Sequence, residues 1–234
     1  LAEGVDLTVD TDASGGAITI GSIRGTIASS NDTAETVTLD AGTGTTSVGV
    51  IGSGTEIGAL SIGSAENGGI TLNGAITTDG VVTLDGPITL ATGAITITTA
   101  DDAINLQGTV DGGQALTLSS GSAAITADGA IGSSTALTSL TVNSSGAGPI
   151  EITDIGTSSA AGVSGATAIG NTSTGTLTLD GTVYTTTGSQ TYTAATGGGN
   201  IDITNTSGST FTTTNTAIAF NTSGVDLANN ATTT

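Results

Sequence analysis

Apolar and small polar residues alternate along this chain in bursts of three to five, and most bursts stop at a polar residue followed by glycine. The fullest copies are ITLNGAI (70–76), VTLDGPI (82–88), INLQGTV (104–110) and LTLDGTV (177–183). A looser one is ITADGAI (125–131), where Ala127 takes the second aliphatic position. Strict two-residue alternation over so few positions predicts short half-buried β-strands. The spacing between copies is regular: Val37 to Leu60 is 23 residues, Val82 to Ile104 is 22, Ile104 to Ile125 and Ile95 to Leu116 are 21, and Leu177 to Ile201 and Ile201 to Val225 are 24 each. A second set of strands falls about halfway between. The pattern predicts an all-β fold, a parallel β-helix (β-solenoid) with coils of roughly 21–25 residues and about ten coils.

Asp-Gly between aliphatic runs is also a hairpin signal, so an antiparallel sandwich or barrel is the rival architecture. The arms argue against it: only Val81 to Leu84 separates Gly80 from Asp85, too short for a stable two-stranded ribbon. In a solenoid the same dipeptide is a corner, with glycine supplying the unusual backbone angles and the polar side chain bonding nearby backbone. Coils stack about 4.8 Å apart, so ten make a rod of about 50 Å. Ile70, Leu72, Val82, Leu84, Ile95, Ile97, Ile104, Leu106, Leu116 and Leu118 are expected to form inward ladders. Each of them, fully buried, contributes roughly 1.5–3 kcal/mol. Outward positions are mainly Thr, which suits a pleated, half-exposed surface.

The chain reads as one unit over 1–234. Residues 156–176 form an irregular stretch in which small residues replace clear ladders, and SSNDTAE (29–35) reads as a loop excursion. Residues 177–234 are variant repeats holding all four aromatics, Tyr184, Tyr192, Phe211 and Phe220. The absence of Met at position 1 and the Thr-rich end lead us to expect an excerpt of a longer chain.

Charge narrows the partners. Twenty acidic residues face a single Arg24, for a net charge of −19. Phosphate contacts need Lys and Arg, so no nucleic acid partner is expected, nor an anionic membrane. No run reaches the ~20 apolar residues of a membrane span, so no membrane insertion is expected. High Gly, Ser and Thr with strong charge can mark a disordered tract. Here 35% hydrophobic residues, placed periodically, point to a folded chain instead. With no cysteine there is neither a disulfide framework nor a thiolate site.

The recurrent apolar-Thr-apolar-Asx-Gly phrases, together with TLDGTVYTTTGSQTYTAA (178–195), resemble the β-helical shafts of filamentous-haemagglutinin-like and autotransporter-type bacterial surface adhesins. The resemblance implies a right-handed β-helix, secretion to an extracellular or cell-surface location, and a role as spacer or adhesive stalk. It implies partners of the same kind, other copies or segments of one fibre, with host or neighbouring-cell surfaces reached through parts outside this segment. It supplies no site motif. A lattice-forming surface-layer or pilus-like subunit is the alternative, because acidic, Lys-poor, Thr-rich chains fit it too.

A β-helical polysaccharide-processing enzyme is the third reading. Paired carboxylates would carry such chemistry, and Asp101-Asp102 and Asp10 with Asp12 are the pairs on offer. Neighbours on a strand face opposite ways, TADDA reads as a polar corner, and no His or Lys is present to assist a Ser or Thr nucleophile. We therefore expect no enzyme. No cofactor is required. Ca2+ is the one ion the acids would take, by bridging stacked carboxylates that repel by roughly 1 kcal/mol in water. The candidates are Asp6, Asp10 and Asp12 in VDLTVDTD, Asp101, Asp102, and Asp202 in GGGNIDITN, a single imperfect copy of a calcium nonapeptide. Asn-x-Ser/Thr sequons occur at 31, 143, 171, 205, 221 and 230.

Overall fold

A computed structural model describes residues 1–2, 4–25, 35–63, 68–195 and 198–227. Within them the short alternating bursts are strands, and every strand pairing is parallel. The architecture is a β-solenoid, and the antiparallel alternative is excluded.

Ten strands stack along the first face, from Leu7–Asp10 through Val37–Asp40, Leu60–Gly63, Val82–Asp85 and Ile104–Leu106 to Val225–Leu227. At ~4.8 Å per rung the outermost of these strands lie about 43 Å apart. The step between rungs is the predicted 21–25 residues for most of the length. It widens to 27 between Ile150 and Leu177, and to 30 between Leu7 and Val37, an interval that includes residues 26–34, outside the described residues. Most of the loop expected at 29–35 lies there too.

The rest of each coil changes shape along the rod. Thr46–Ile51 is one straight strand lying on Ile18–Ile23. Above it the chain bends: Thr46 to Val48 pair with Ile70–Leu72, whereas Ile51 pairs with Ile76 of Ile76–Thr78. The bend is Asn73-Gly74. A Cβ on Gly74 would stand 2.9 Å from the carbonyl carbon of Gly49 below it, closer than a side chain can sit. From here the cross-section has three faces. The second continues through Ile88–Leu90 and Val110–Asp111 and through bridges at Ile131 and Ile155, ending in the paired strands Val183–Thr185 and Thr210–Thr212. The third runs through Ile95–Thr99, Ala115–Ser119, Ser139–Asn143, Thr167–Ile169 and Gln190–Thr193 to Ile218–Asn221.

All ten predicted ladder residues are buried, as is Ala127. Each strand places alternate residues inward, and parallel register stacks like on like: Ile104 lies between Val82 and Ile125, and Leu106 between Leu84 and Ala127.

One expectation is corrected. Asp-Gly occurs at 79–80, 85–86, 111–112, 128–129 and 180–181, and special backbone angles are expected of each of these glycines. Only Gly86 (φ 140°) and Gly112 (φ 124°) use them. At Gly129 and Gly181 the reason is crowding instead, because a Cβ would lie 2.3 Å from the Gly108 carbonyl carbon and 2.0 Å from the Thr153 carbonyl oxygen. Outward strand positions are mainly Thr, and a further set of hydroxyl residues turns inward at the corners. Thr78, Thr99, Ser120, Ser144 and Thr186 are buried at the ends of strands. Each donates its hydroxyl to a carbonyl two or three residues on, closing the corner.

Candidate functional site

The solvent side of the first face is set by register. One column climbs Thr8, Thr38, Ser61, Thr83, Asn105, Thr126, Glu151, Thr178, Asp202, Asp226. Hydroxyls and amides fill its lower part and acids its upper part. Beside it run Asp10 on Asp40, then Gly63 on Asp85. A shallow recess of about 290 Å3 lies over Thr38, Ser61 and Thr83, edged by Thr36, Ala59 and Val81. Its lining is hydroxyl and small aliphatic, with no carboxylate to act as acid or base.

The candidate acids are separated along the rod. Asp6 accepts the backbone N–H of Thr36 (3.0 Å) and its hydroxyl (2.7 Å) one coil above. The hydroxyl bond, with the backbone bond second, holds its carboxyl below the usual range. Asp10 accepts the N–H of Asp12 at 2.9 Å in the short helical turn Asp12–Ser14. Asp101 and Asp102 lie in the corner between the third and first faces. Asp101 accepts the Ser122 N–H of the next coil at 2.9 Å, and the carbonyl of Asp102 accepts the Thr99 hydroxyl. Asp202 is stacked in register under Asp226, which accepts Asn200 Nδ2 at 2.9 Å. Burial first, and Asp226 second, push the Asp202 carboxyl up. Glu151 is raised likewise, by burial and then by Asp180 and Asp128. Among the described residues no three acids gather in a group able to hold a metal ion.

A shared role connects several of these acids with others the sequence reading did not single out. Asp111 accepts the N–H groups of Ser134 (2.7 Å) and Thr135 (2.9 Å), and Asp154 those of Thr182 (2.7 Å) and Val183 (2.8 Å). With Asp6 and Asp101, these are carboxylates at corners that clamp the backbone one coil higher. Charge-assisted bonds of this sort are stronger than neutral ones, and they satisfy corner donors that no strand reaches. The signal in the sequence is an Asp at a corner with at least one Thr or Ser about one coil later: Thr36 after Asp6, Ser122 after Asp101, Ser134 and Thr135 after Asp111, and Thr182 after Asp154.

The second unforeseen constellation is internal. The four aromatics point inward as two ladders, Tyr184 under Phe211 and Tyr192 under Phe220. Their rings stack at 4.6 and 5.2 Å and meet edge to face across the core. The Tyr184 hydroxyl donates to the Ile152 carbonyl (3.0 Å) and accepts from Gly181 N–H (2.9 Å). Tyr192 donates to Gln190 Oε1 (2.9 Å), while Gln190 Nε2 donates to the carbonyls of Tyr184 and Thr212, both at 2.8 Å. Burial raises both phenols, so they stay neutral donors. Tyr184, Tyr192 and Gln190 are buried and their polar atoms are bonded to one another or to backbone, with Phe211 and Phe220 half-buried above them, so the network is structural.

Three sequon asparagines, Asn143, Asn171 and Asn205, are likewise tied down. Asn171 Nδ2 donates to Asn143 Oδ1 and to the Ser144 carbonyl, and Asn205 Nδ2 donates to the Asp180 carbonyl at 2.8 Å. The sequons at 31 and 230, like Gly197 of the nonapeptide-like stretch, lie outside the described residues. No known protein family, curated protein or solved structure matches this chain.

Proposed function

We propose that this chain is a rigid spacer segment of a secreted or cell-surface bacterial fibrous protein. The observation that carries the reading is the parallel ladder held in one register from Leu7 to Leu227. In such a stack each coil bears only on its neighbours, and length is gained by adding coils without redesigning a core. Bending or stretching the rod must break backbone bonds and aliphatic ladders together, which is the property a stalk needs. Its acidic first face keeps it solvated, and its corner carboxylates resist slippage of one coil over the next.

A lattice- or filament-forming subunit is the second reading. It is favoured by one observation: the third face carries no charge in any of its strands, so lateral packing there meets little repulsion. Electron cryotomography of producing cells, with an antibody against this segment, tests the choice. Label along thin fibres projecting from the surface is the expected result. Label spread on a two-dimensional lattice would sink the spacer reading in favour of the subunit.

A further inference from the structure

We infer that the third face is the surface through which two copies of this chain associate side by side. The inference rests on the fibrous reading above and adds to it a specific contact. Its starting point is the distribution of charge. Acids stand on the strands of the first face (Asp10, Asp40, Asp85, Glu151, Asp202 and Asp226) and of the second (Asp111). Yet from Ile18–Ile23 and Thr46–Ile51 through the seven strands of the third face, none of the nine strands contains an Asp, Glu or Arg. For a chain of net charge −19, this is the direction from which a second copy approaches against the least repulsion.

The surface chemistry fits that partner. Thr96, Thr117 and Thr141 stand in one outward column, with Thr98 and Ser119 beside them. Among the described residues no hydrogen bond takes up these hydroxyls, so they are free to bond across an interface. Val50, on the strand at the foot of this face, is 37% exposed. Nine rungs at ~4.8 Å by ~15 Å of strand give roughly 600 Å2 per copy. That is about 1,200 Å2 in total, the lower bound for stable interfaces, so the association is weak and concentration-dependent. It is strengthened by salt, which screens the acids elsewhere.

Sedimentation velocity over a concentration series, at low and high sodium chloride, tests this on the whole chain. The expected result is a reversible monomer–dimer equilibrium shifted toward dimer by salt. Thr117→Asp places a charge in the centre of the face and should weaken the dimer about tenfold or more, since like charges opposed across an interface are strongly unfavourable. Thr83→Asp on the first face carries the same added charge and should leave the equilibrium near its starting value. Circular dichroism checks that both variants are folded. A chain that stays monomeric throughout overturns the inference, as does equal weakening by both variants. A monomer that instead sediments with insoluble cellulose or chitin, and loses that on Thr117→Asp, would reassign the face to a neutral polysaccharide. None of these failures touches the spacer reading, which the tomography decides separately.

Discussion

Between Leu60 and Val142 the interior is mainly Leu, Ile and Val in columns, with hydroxyls only at the corners. From Tyr184 onward rings, an amide and hydroxyls join the aliphatic Ala194 and Ile201. The two regions share one backbone plan, yet they specify it differently. An aliphatic rung has no polar atom to satisfy, so Leu on Ile or Val on Ile serves equally, and neighbours can adjust to a change of shape. An aromatic rung here carries a hydroxyl that must meet a particular carbonyl or amide, because an unmet buried donor is costly. The core of the upper region is therefore fixed in register by directional bonds, whereas the core of the middle relies on repetition and leaves directional bonds to corner acids such as Asp101 and Asp111.

Substitutions test that difference, the largest effect first. Tyr184→Ala removes a stacked ring and two hydrogen bonds together. It should destabilise the chain by about 3–5 kcal/mol, read as a lower urea midpoint. Leu106→Ala in the middle should fall in the range of about 2–5 kcal/mol for buried aliphatics. It belongs at the low end of that range, because Ala127 directly above already shows that the column tolerates a small residue. If Leu106→Ala cost as much as Tyr184→Ala, the middle would be as exactingly packed as the upper end. Tyr192→Phe keeps the ring and removes only the donor to Gln190 Oε1. A loss of about 1–3 kcal/mol is expected from an acceptor left buried and unmet, and no loss would mean that the amide finds another partner.

Acid separates the ends of the rod in time. Asp202 and Glu151 have raised carboxyls, so the folded state gains stability as pH falls through their raised values. Asp6 is lowered. Its clamp on Thr36 contributes stability above the ordinary carboxylate value of about 4 and loses it as pH falls further. Amide exchange, corrected for intrinsic rate, should first slow at Ile201–Ile203 and later quicken at Thr36. The reverse order would contradict both assignments. Calcium is the smallest expected effect. With several corner acids already engaged by N–H donors, calcium chloride and sodium chloride at equal ionic strength should raise the melting temperature alike. A clear excess for calcium would instead place the ion between stacked acids, Asp202 and Asp226 first.

Much of the fold was legible because the solenoid is a local pattern repeated. Alternation of period two marks the strands, and the interval of 21 to 25 residues marks the coil, though not the steps of 27 and 30 residues that the structure adds. Ile70, Leu84 and Ile104 could be placed in the core without coordinates, because a strand face and a stacking interval leave them no other position. The corners were less legible. NGA at 73–75 and DGP at 85–87 look alike in sequence, yet the first divides the second face from the third and the second divides the first face from the second. Which corner a phrase forms depends on the coil beneath it.

The sequence by itself determined the strand content, the coil length, the aliphatic ladders and the imbalance of acid over base. Those follow from which side chains avoid water and how often they recur. Only the tertiary structure decided where the acids point, which hydroxyls turn inward, that all four rings meet, and that one face is left uncharged. Those depend on contacts between residues 20 to 30 positions apart, set by the register of one coil on the next. That register is a property of the stack and of no single coil.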